Sequence, residues 1–345
     1  MAPPEDQATT AVSIIVPCYN EERTIGGLLQ AILGQTVRQD DLEVIIADGG
    51  STDDTRPVVQ SFVEAHPDLR VRIVDNPARS IPAALNAAIA HARGGVVIRL
   101  DAHSAPRPDY VQRCLETLER TRAANAGGVW QIRPSRDTWI GRAIAVAAAH
   151  PLGAGDARYR VSGQEGSVDT VPFGAYPRSW LDRAGRFDEG LHSNEDYELN
   201  ARIRRLGGVV WFSPAIQSEY LARGSLLELA RQYARYGFWK ARMLLRYPAT
   251  LRWRQALPPL FVLSTAVLVG GSLVAAPAQM LLAIEWGAYG LILLLAALLQ
   301  AIHRRSPSLI AGFPLAVATM HLCWGAAFWG GLLTGLPRRR PTGPE

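Results

Sequence analysis

The sequence has little cysteine: it contains 3 cysteines in 345 residues, at positions 18, 114 and 323. No two of them stand at the spacing of metal ligands, and an odd number cannot pair completely. The chain is therefore not a disulfide scaffold, and its thiols fit a reducing compartment. With 48% hydrophobic residues and no repeat among its 31 glycines, it is neither disordered nor collagen-like.

Two glycine-rich motifs that bind phosphate groups are also missing. The chain has neither the GxGxxG fingerprint of dinucleotide-binding folds nor the GxxxxGK[ST] loop of P-loop proteins. Carboxylates cannot hold phosphates directly. They can, however, hydrogen-bond a base or ribose, or bind a divalent cation that bridges to phosphates.

Charge is nearly absent from the C-terminal part of the chain. Between Leu257 and Leu336 the charged residues are Glu285, Arg304 and Arg305. The stretch divides into three hydrophobic segments, each long enough to cross about 30 Å of hydrocarbon. These segments are Leu257–Ala276, Ala278–Ile302 and Pro307–Leu336. Because the third contains Pro314 and several glycines, we expect either a full span or a broken, re-entrant segment.

The basic charge is concentrated beside these segments. Acidic residues outnumber basic ones in residues 1–222, whereas residues 223–254 contain eight arginines and lysines and one glutamate. Four arginines of a predicted helix fall on one side of it: Arg231, Arg235, Arg242 and Arg246. We expect this helix to lie on a membrane surface. An ordinary surface helix is the alternative, and nucleic-acid binding is not favoured.

These patterns predict four regions. Residues 1–222 form a soluble domain, 223–256 a basic interfacial segment, 257–336 a membrane region of about three helices, and 337–345 a basic tail. The first ten residues do not resemble a signal peptide, so the soluble domain is expected in the cytoplasm. Arg304 and Arg305 then face the same side by the positive-inside rule. A multi-pass protein of a bacterial inner membrane is predicted.

The first hundred residues alternate between short apolar runs and amphipathic stretches. The apolar runs are Val12–Pro17, Leu42–Asp48, Val71–Asp75 and Val96–Asp101. Strands this apolar, separated by helices, predict an α/β fold with a mostly parallel sheet covered on both faces. Ligands of such sheets bind beyond the carboxyl ends of the strands.

Acidic clusters follow three of these strands. They are Pro17–Glu21, Asp48–Asp53 and Asp101–His103, at or just after the strand ends. One strand-end aspartate is commonly only a helix cap, but three clusters at one edge indicate a site. Asp101 and His103 stand two residues apart and are expected to point the same way. A carboxylate with an imidazole suits Mn²⁺ or another first-row ion, and His103 as a plain loop histidine is the alternative.

A fourth acidic pair, Glu195 and Asp196, opens a predicted helix that Asn194 is expected to cap. Acids in a first turn are ordinarily partners of the helix dipole. The dipole would keep Asp196 ionised, with a lowered pKa. A carboxylate near an alcohol substrate is nevertheless a natural general base.

Four segments carry a resemblance: VPCYNE (16–21), ADGGSTD (47–53), LDAH (100–103) and NED (194–196). In this combination and order the chain resembles the family 2 glycosyltransferases of GT-A fold, over roughly residues 12–240. The DAH triplet, the segment QYARYG at 232–237 and the hydrophobic C-terminal region resemble the succinoglycan-biosynthesis glucosyltransferase subgroup.

The resemblance implies a role for each matching residue. The positions on the donor side are Pro17, Tyr19, Glu21, Asp48, Ser51, Asp53 and Asp101. The third position of the family's DxD motif binds a metal, and here it is His103, so Asp101 and His103 are the implied ligands of Mn²⁺ or Mg²⁺. Asp196 matches the base, and Glu195 is assigned to the acceptor or diphosphate side.

Two further residues of that side come from a second motif. Gln232 and Arg235, followed by Tyr236, resemble the QxxRW motif of processive synthases, with tyrosine in place of tryptophan.

The predicted protein is a membrane-bound, inverting, metal-dependent glycosyltransferase. Its donor is a nucleotide-diphosphate sugar, with a UDP-sugar favoured, and its acceptor is a polyprenyl diphosphate-linked glycan in exopolysaccharide or other surface-glycan synthesis. One alternative transfers sugar directly to polyprenyl phosphate, which needs no deprotonation. Another is a catalytically weak membrane scaffold, favoured only by His103. A nucleotidyltransferase is disfavoured because no GxGxR loop follows the first strand.

Overall fold

A computed structural model describes residues 11–191, 193–248 and 252–335 of the chain. The strands are β1 (Val12–Cys18), β2 (Leu42–Asp48), β3 (Arg70–Asp75), β4 (Val96–Arg99), β5 (Ala105–Pro106), β6 (Asn125–Pro134), β7 (Gly166–Ser167), β8 (Ala175–Pro177) and β9 (Val210–Ala222).

The α-helices fall into two sets. Nine come before residue 206 in the described chain: α1 (Ile25–Leu33), α2 (Thr55–Ala65), α3 (Ile81–His91), α4 (Tyr110–Thr121), α5 (Trp139–Ala148), α6 (Pro151–Ala154), α7 (Arg158–Val161), α8 (Arg178–Ala184) and α9 (Glu195–Arg205). The later, longer ones are α10 (Leu226–Arg246), α11 (Trp253–Ser272), α12 (Ala276–His303) and α13 (Leu309–Gly335).

The chain divides into two compact units. In the described residues, the sheet unit contains residues 11–131 and 157–220, and the helical unit contains residues 132–156 and 221–335. The predicted domain boundary after residue 222 lies close to the boundary between the two units at residues 220 and 221. The segment Ile132–Asp156, with α5 and α6, belongs to the helical unit, although its sequence was assigned to the catalytic domain. The predicted basic tail, residues 337–345, lies outside the described residues.

The sheet has the order β3-β2-β1-β4-β8-β6-β9-β5, and β7 pairs with β9. The four predicted strands are parallel neighbours, with β1 between β2 and β4. Beyond β4 the sheet continues through antiparallel pairs, such as β4 with β8 and β5 with β9. The carboxyl ends of β1, β2 and β4 therefore meet at one edge, where the acidic clusters were predicted.

Alternating residues of β1 pack into different cores, as the predicted two-sided sheet requires. Ile14 and Val16 belong to a core that contains the buried face of α1, whereas Ile15 belongs to a core with Leu85 of α3. All three β1 residues are at most 1% exposed. Burial on both faces explains why these strands read as continuous apolar runs rather than as an alternating pattern.

In the helical unit, α11, α12 and α13 are each long and apolar enough to span a membrane, and they match the three predicted segments. The most apolar window of α13 is 39% buried, against 6% for α11 and 11% for α12, so α13 is the central helix. It continues as one helix through Pro314. The alternative prediction of a broken third segment is therefore wrong, because α13 is continuous.

Helix α10 packs along α13, where Phe238 and Ala241 of α10 approach Gly331 of α13. A Cβ atom at Gly237 would lie 2.2 Å from the carbonyl oxygen of Trp324, so only glycine allows this approach. Arg231 and Arg235 are exposed on α10. The position of this helix at a membrane surface stays a prediction.

Candidate active site

The loops that follow β1 and β2 are tied together by hydrogen bonds. The backbone N–H of Asn20 donates to Ser51 Oγ at 2.9 Å, and that of Glu21 donates to Thr55 Oγ1 at 2.7 Å. Asp53 accepts from the backbone of Glu22 at 3.2 Å and from Thr55 Oγ1 at 2.6 Å. Ser51 and Asp53, predicted on the donor side, thus hold the two loops in one conformation.

Asp48 ends β2 with its carboxylate buried and fully engaged. Its oxygens accept hydrogen bonds from Ser51 N at 3.2 Å, Ser51 Oγ at 2.5 Å and Arg56 Nε at 2.5 Å. Burial acts to raise the pKa of Asp48, but the hydrogen bonds from Ser51 and Arg56 outweigh it and lower the pKa below its usual value. Asp48 is 1% exposed, so any bond to a nucleoside must compete with these partners.

Tyr19 is the accessible member of the same edge. The residue is 48% exposed, and the guanidinium carbon of Arg79 lies 5.8 Å from its ring centroid. The turn after β2 permits this arrangement, because Gly50 adopts a φ of +74° beside the Arg79 guanidinium. Pro17, also predicted on the donor side, lies within β1.

Glu21 and His103 connect the loop after β1 with the loop after β4. His103 Nδ1 lies 3.1 Å from Glu21 Oε1, and Thr24 Oγ1 donates to Glu21 Oε2. Burial acts to raise the pKa of Glu21, but the contacts with His103 and Thr24 outweigh it and lower the pKa. The predicted site residues of two different strands therefore meet at this point.

A buried arginine lies behind these residues, and the sequence analysis missed it. Arg99, the last residue of β4, is 4% exposed. Its Nη1 donates to Glu195 Oε1 at 2.9 Å and to Asp196 Oδ1 at 2.7 Å, and its Nη2 donates to Asp101 Oδ1 at 3.1 Å. A single guanidinium thus joins the predicted metal ligand to the predicted base.

A signal for Arg99 was present in the sequence. It is the charged residue in the otherwise apolar run VVIRL, and a charge in a buried strand requires partners. Burial acts to lower the pKa of Arg99, but the negative charges of Asp196, Asp101 and Glu195 raise it well above its usual value.

The pKa of Asp196 is raised, whereas the sequence predicted a lowered pKa. Burial raises the pKa of Asp196 to about 7, the charges of Glu195 and Asp101 add to the shift, and Arg99 opposes it. The expectation that the helix dipole keeps this pKa low was wrong, because desolvation outweighs the dipole here. Asn194 does precede α9, but it adopts a left-handed conformation with φ +66° and makes no side-chain cap hydrogen bond.

The donor atoms near Asp101 have the chemistry of a divalent-cation site only in part. Within the described ranges, no group of three or more His, Cys, Asp or Glu side chains is arranged to hold a metal ion. Asp101 and His103 offer one carboxylate and one imidazole, a pair that suits first-row ions. Two protein ligands are enough for a cation that takes its other ligands from substrate phosphates.

Gln232 and Arg235 belong to the helical unit. Gln232 is 7% exposed, and its side-chain amide donates to Tyr236 Oη at 3.0 Å. The guanidinium carbon of Arg235 lies 5.8 Å from the Tyr236 ring centroid. Their assignment to the acceptor or diphosphate side stays a prediction.

Two solved structures have the same fold. Mannosyltransferase PcManGT from Pyrobaculum calidifontis, in complex with GDP-Man and Mn²⁺, has a TM-score of 0.60 and 24% identity, covering 90% of this chain and 86% of that one. S. aureus TarS 1-349, in complex with UDP-GlcNAc, has a TM-score of 0.51 and 15% identity, covering 95% and 93%. The predicted GT-A fold is confirmed.

Two relatives match almost the whole chain. Succinoglycan biosynthesis protein ExoA of Rhizobium meliloti (strain 1021) is 32% identical over 334 residues, 95% of this chain and 97% of that protein. The second is the dolichyl N-acetyl-alpha-D-glucosaminyl phosphate 3-beta-D-2,3-diacetamido-2,3-dideoxy-beta-D-glucuronosyltransferase of Methanococcus voltae. It is 26% identical over 331 residues, 94% and 98% of the two chains. The family model described as Glycosyl transferase family 2 matches residues 13–185. The chain belongs to the family 2 glycosyltransferases.

Proposed function

We propose that the protein transfers one sugar, with inversion, from a nucleotide-diphosphate sugar to a hydroxyl group of a lipid-linked glycan. The observation that carries the proposal is the ion-pair network in which Arg99 joins Asp101 to Asp196. It holds a donor-side carboxylate and a base of suitable pKa at one point. The acceptor class is supported by the name of the Methanococcus relative, which describes a dolichyl-linked sugar phosphate.

Asp196 is the general base of this reaction. The acceptor oxygen attacks the anomeric carbon, the bond from that carbon to the diphosphate breaks, and the hydroxyl proton passes to Asp196. Oδ1 is held by Arg99 at 2.7 Å, so Oδ2 is the oxygen that takes the proton. A pKa of about 7 suits the step, since such a carboxylate is substantially ionised at neutral pH and still basic.

The donor is held at the edge formed by β1, β2 and β4. Tyr19 offers an exposed ring and Arg79 a positive charge beside it, while Asp48, Ser51 and Asp53 stabilise the loops. A UDP-sugar is the favoured donor. The TarS structure in complex with UDP-GlcNAc supports this choice, and the PcManGT structure with GDP-Man makes GDP-mannose the comparison donor.

Asp101 and His103 are the residues that would hold a divalent cation, Mn²⁺ or Mg²⁺. The chemistry that such a cation would supply is neutralisation of the negative charge on the departing diphosphate. Glu21 contacts His103 through Nδ1 at 3.1 Å, and this contact orients the imidazole. The Mn²⁺ named with PcManGT supports this assignment.

We place the protein in a bacterial inner membrane, with the catalytic domain on the cytoplasmic side. The apolar helices α11, α12 and α13 support a multi-pass arrangement. Arg304 and Arg305, between α12 and α13, support a cytoplasmic connection by the positive-inside rule.

The test is a transfer assay with the full chain purified in detergent. Labelled UDP-glucose, UDP-galactose and GDP-mannose are each incubated with Mn²⁺ and a bacterial lipid extract, and Asp196→Asn serves as the blank. We expect label from a UDP-sugar in the lipid fraction, released UDP, and a product of inverted anomeric configuration. Absence of both transfer and donor hydrolysis would favour the scaffold alternative. Transfer to pure polyprenyl phosphate would favour the alternative in which polyprenyl phosphate is itself the acceptor.

A further inference from the structure

Three aromatic residues form a half-buried cluster in the sheet unit, here named the aromatic platform: Trp130, Tyr159 and Tyr220. The rings of Trp130 and Tyr220 are stacked, with centroids 4.3 Å apart and planes 4° from parallel. Tyr159, on α7, meets Trp130 edge-on at 5.1 Å. None of these residues was singled out by the sequence motifs, and none belongs to the site described above.

The platform carries polar groups as well as ring faces. The guanidinium carbon of Arg160 lies 5.1 Å from the Trp130 centroid, 5.6 Å from that of Tyr159 and 5.5 Å from that of Tyr220. Trp130 Nε1 is buried without a hydrogen-bond partner among the residues that the structure describes. An unsatisfied buried indole N–H costs free energy, and the guanidinium places hydrogen-bond donors beside the rings.

The sheet order places the platform beside the Asp101–His103 loop, on the side away from the donor edge. Donor-side residues follow β1 and β2, whereas Trp130 lies on β6 and Tyr220 on β9, beyond β4 and β8. Strand β5 begins two residues after His103, and its Ala105 pairs with Glu219. Tyr220 therefore directly follows Glu219, the residue that pairs with Ala105 just after the loop.

The chemistry of the platform selects one class of ligand. A pyranose ring presents C–H groups on its faces and hydroxyl groups at its rim, so aromatic faces and an arginine together match it. The phosphate of polyprenyl phosphate can pair with Arg160, but its prenyl chain has no ring that could stack on the aromatic faces. A nucleobase also stacks on aromatic rings, but the donor edge at Tyr19 lies on the opposite side of β4.

We infer that the aromatic platform binds a sugar ring of the acceptor glycan and so presents the acceptor hydroxyl beside the Asp101–Asp196 network. This inference rests on the proposed function and deepens it. The acceptor is then a molecule that already carries a sugar. The residues that bind and position this sugar are Trp130, Tyr159, Arg160 and Tyr220. The platform is a specificity element, because polyprenyl phosphate has no ring to stack.

The first experiment measures binding directly and needs no turnover. Saturation-transfer NMR is recorded on the full chain in detergent with methyl glycosides of glucose, galactose and mannose and of their disaccharides. We expect signals from ring C–H protons in the wild type and their loss in Tyr220→Ala and Tyr159→Ala, with recovery in Tyr220→Phe. Trp211→Phe, on the same strand but with its indole bonded to Glu165, is the matched control and should keep the signals.

The second experiment measures the acceptor KM and kcat with lipid-linked glycan. Tyr220→Ala should raise the acceptor KM by about five- to tenfold, the loss expected for one aromatic stacking contact, with a much smaller change in kcat. Calorimetric UDP binding shows whether each variant is folded. Ring signals and an acceptor KM that are unchanged in both alanine variants would overturn the inference. A wild type that binds glycosides yet consumes no donor would overturn the proposed function and leave the sugar site standing.

Discussion

Arg99 in the sheet unit and Glu285 in the helical unit are both charged side chains in apolar surroundings, but their partners differ. Arg99 contacts three carboxylates at 2.7 to 3.1 Å. Glu285, on α12, accepts a hydrogen bond from Ser264 through Oε1, and its buried Oε2 has no partner within the described part of the chain. Three opposite charges therefore compensate Arg99, whereas Glu285 receives one hydrogen bond from a neutral hydroxyl in the described part of the chain.

The apolar residues of the two units differ in a related way. Ile14 and Ile98 of the sheet unit are 0% exposed, whereas Leu273 and Val274, between α11 and α12, are 83% and 88% exposed. Large exposed apolar surfaces of this kind require an apolar solvent or a partner. The difference teaches that the sheet unit keeps its apolar residues inside, while the helical unit exposes many of its apolar residues; we propose that the buried charges of the sheet unit serve the reaction. The predictions below test that division.

The largest effect is expected for the predicted base. Asp196→Asn keeps the size of the side chain and the bond from Arg99 but removes basicity. It should lower sugar transfer by about 10²–10⁴-fold while folding and UDP affinity stay close to those of the wild type. The measurement is transfer to lipid extract by the purified variant, with UDP binding followed by calorimetry.

Two variants complete this test. Asp182→Asn changes a half-exposed carboxylate of the same unit and should transfer sugar at the wild-type rate. Glu195→Gln should cost less than Asp196→Asn, since it neutralises a carboxylate that holds Arg99 rather than one that takes the proton. A larger loss in Glu195→Gln would move the role of base to the neighbouring residue.

Arg99→Gln should have the next largest effect. It leaves Asp101, Glu195 and Asp196 as uncompensated negative charges, and breaking a buried ion pair costs about 3–5 kcal/mol of unfolding free energy. The pKa of Asp196 should rise above its value of about 7. The acidic limb of the transfer rate, which reports ionisation of the base, should therefore move to higher pH.

The sign of the stability change with pH follows from the same shift. The pKa of Asp196 is higher in the folded chain than its ordinary 3.8, so the folded state holds this proton more tightly and loses stability as pH rises through about 7. In Arg99→Gln this loss should extend to higher pH. Arg113 pairs with Asp109 and Glu116 at the surface, so Arg113→Gln is the matched control and should change the unfolding free energy far less than Arg99→Gln does. Equal losses of unfolding free energy in Arg99→Gln and Arg113→Gln would show that burial does not make the Arg99 ion pairs more important for stability.

His103 should have a moderate effect that depends on the metal. His103→Ala should reduce transfer about tenfold and raise the Mn²⁺ concentration needed for half-maximal rate, because second-shell and ligand changes weaken metal sites by that order. His103→Asp should keep activity with a preference shifted toward Mg²⁺, since a carboxylate is the harder ligand. The measurement is a titration of chelator-treated enzyme with each ion. An unchanged metal response in His103→Ala would remove this residue from the metal site.

Much of the fold could be predicted from local pattern. The runs VSIIVP and LEVIIAD are apolar because β1 and β2 are covered on both faces, and this pattern predicted them closely. The antiparallel half was harder. The single strand β9 was not predicted: it contains Pro214, and it pairs with β7 at residues 211–212 and with β5 at residues 218–219.

For the candidate site too, one part could be predicted from the sequence and another part could not. Strand order alone brought Glu21, Asp48 and Asp101 to one edge. The partners of these residues depend on tertiary contacts: the pKa of Asp196 follows from burial and from Arg99, which is 97 residues away along the chain. The platform residue Tyr220 meets Trp130 only because β6 and β9 are neighbours. No local pattern contains that information.

The smallest effect is expected for Glu285→Gln, which tests the comparison from the side of the helical unit. A charged residue in an apolar span is by default a functional candidate, and this variant tests that role directly. The amide keeps an oxygen that can accept from Ser264 and removes a charge whose Oε2 has no partner among the described residues. Transfer should therefore stay within about twofold of the wild type, and the unfolding free energy in detergent should stay equal or rise by about 1 kcal/mol. Ser264→Ala removes the hydrogen-bond donor instead and should destabilise by about the same amount. A loss of transfer in Glu285→Gln comparable to that in Arg99→Gln would show that buried charge serves function in both units.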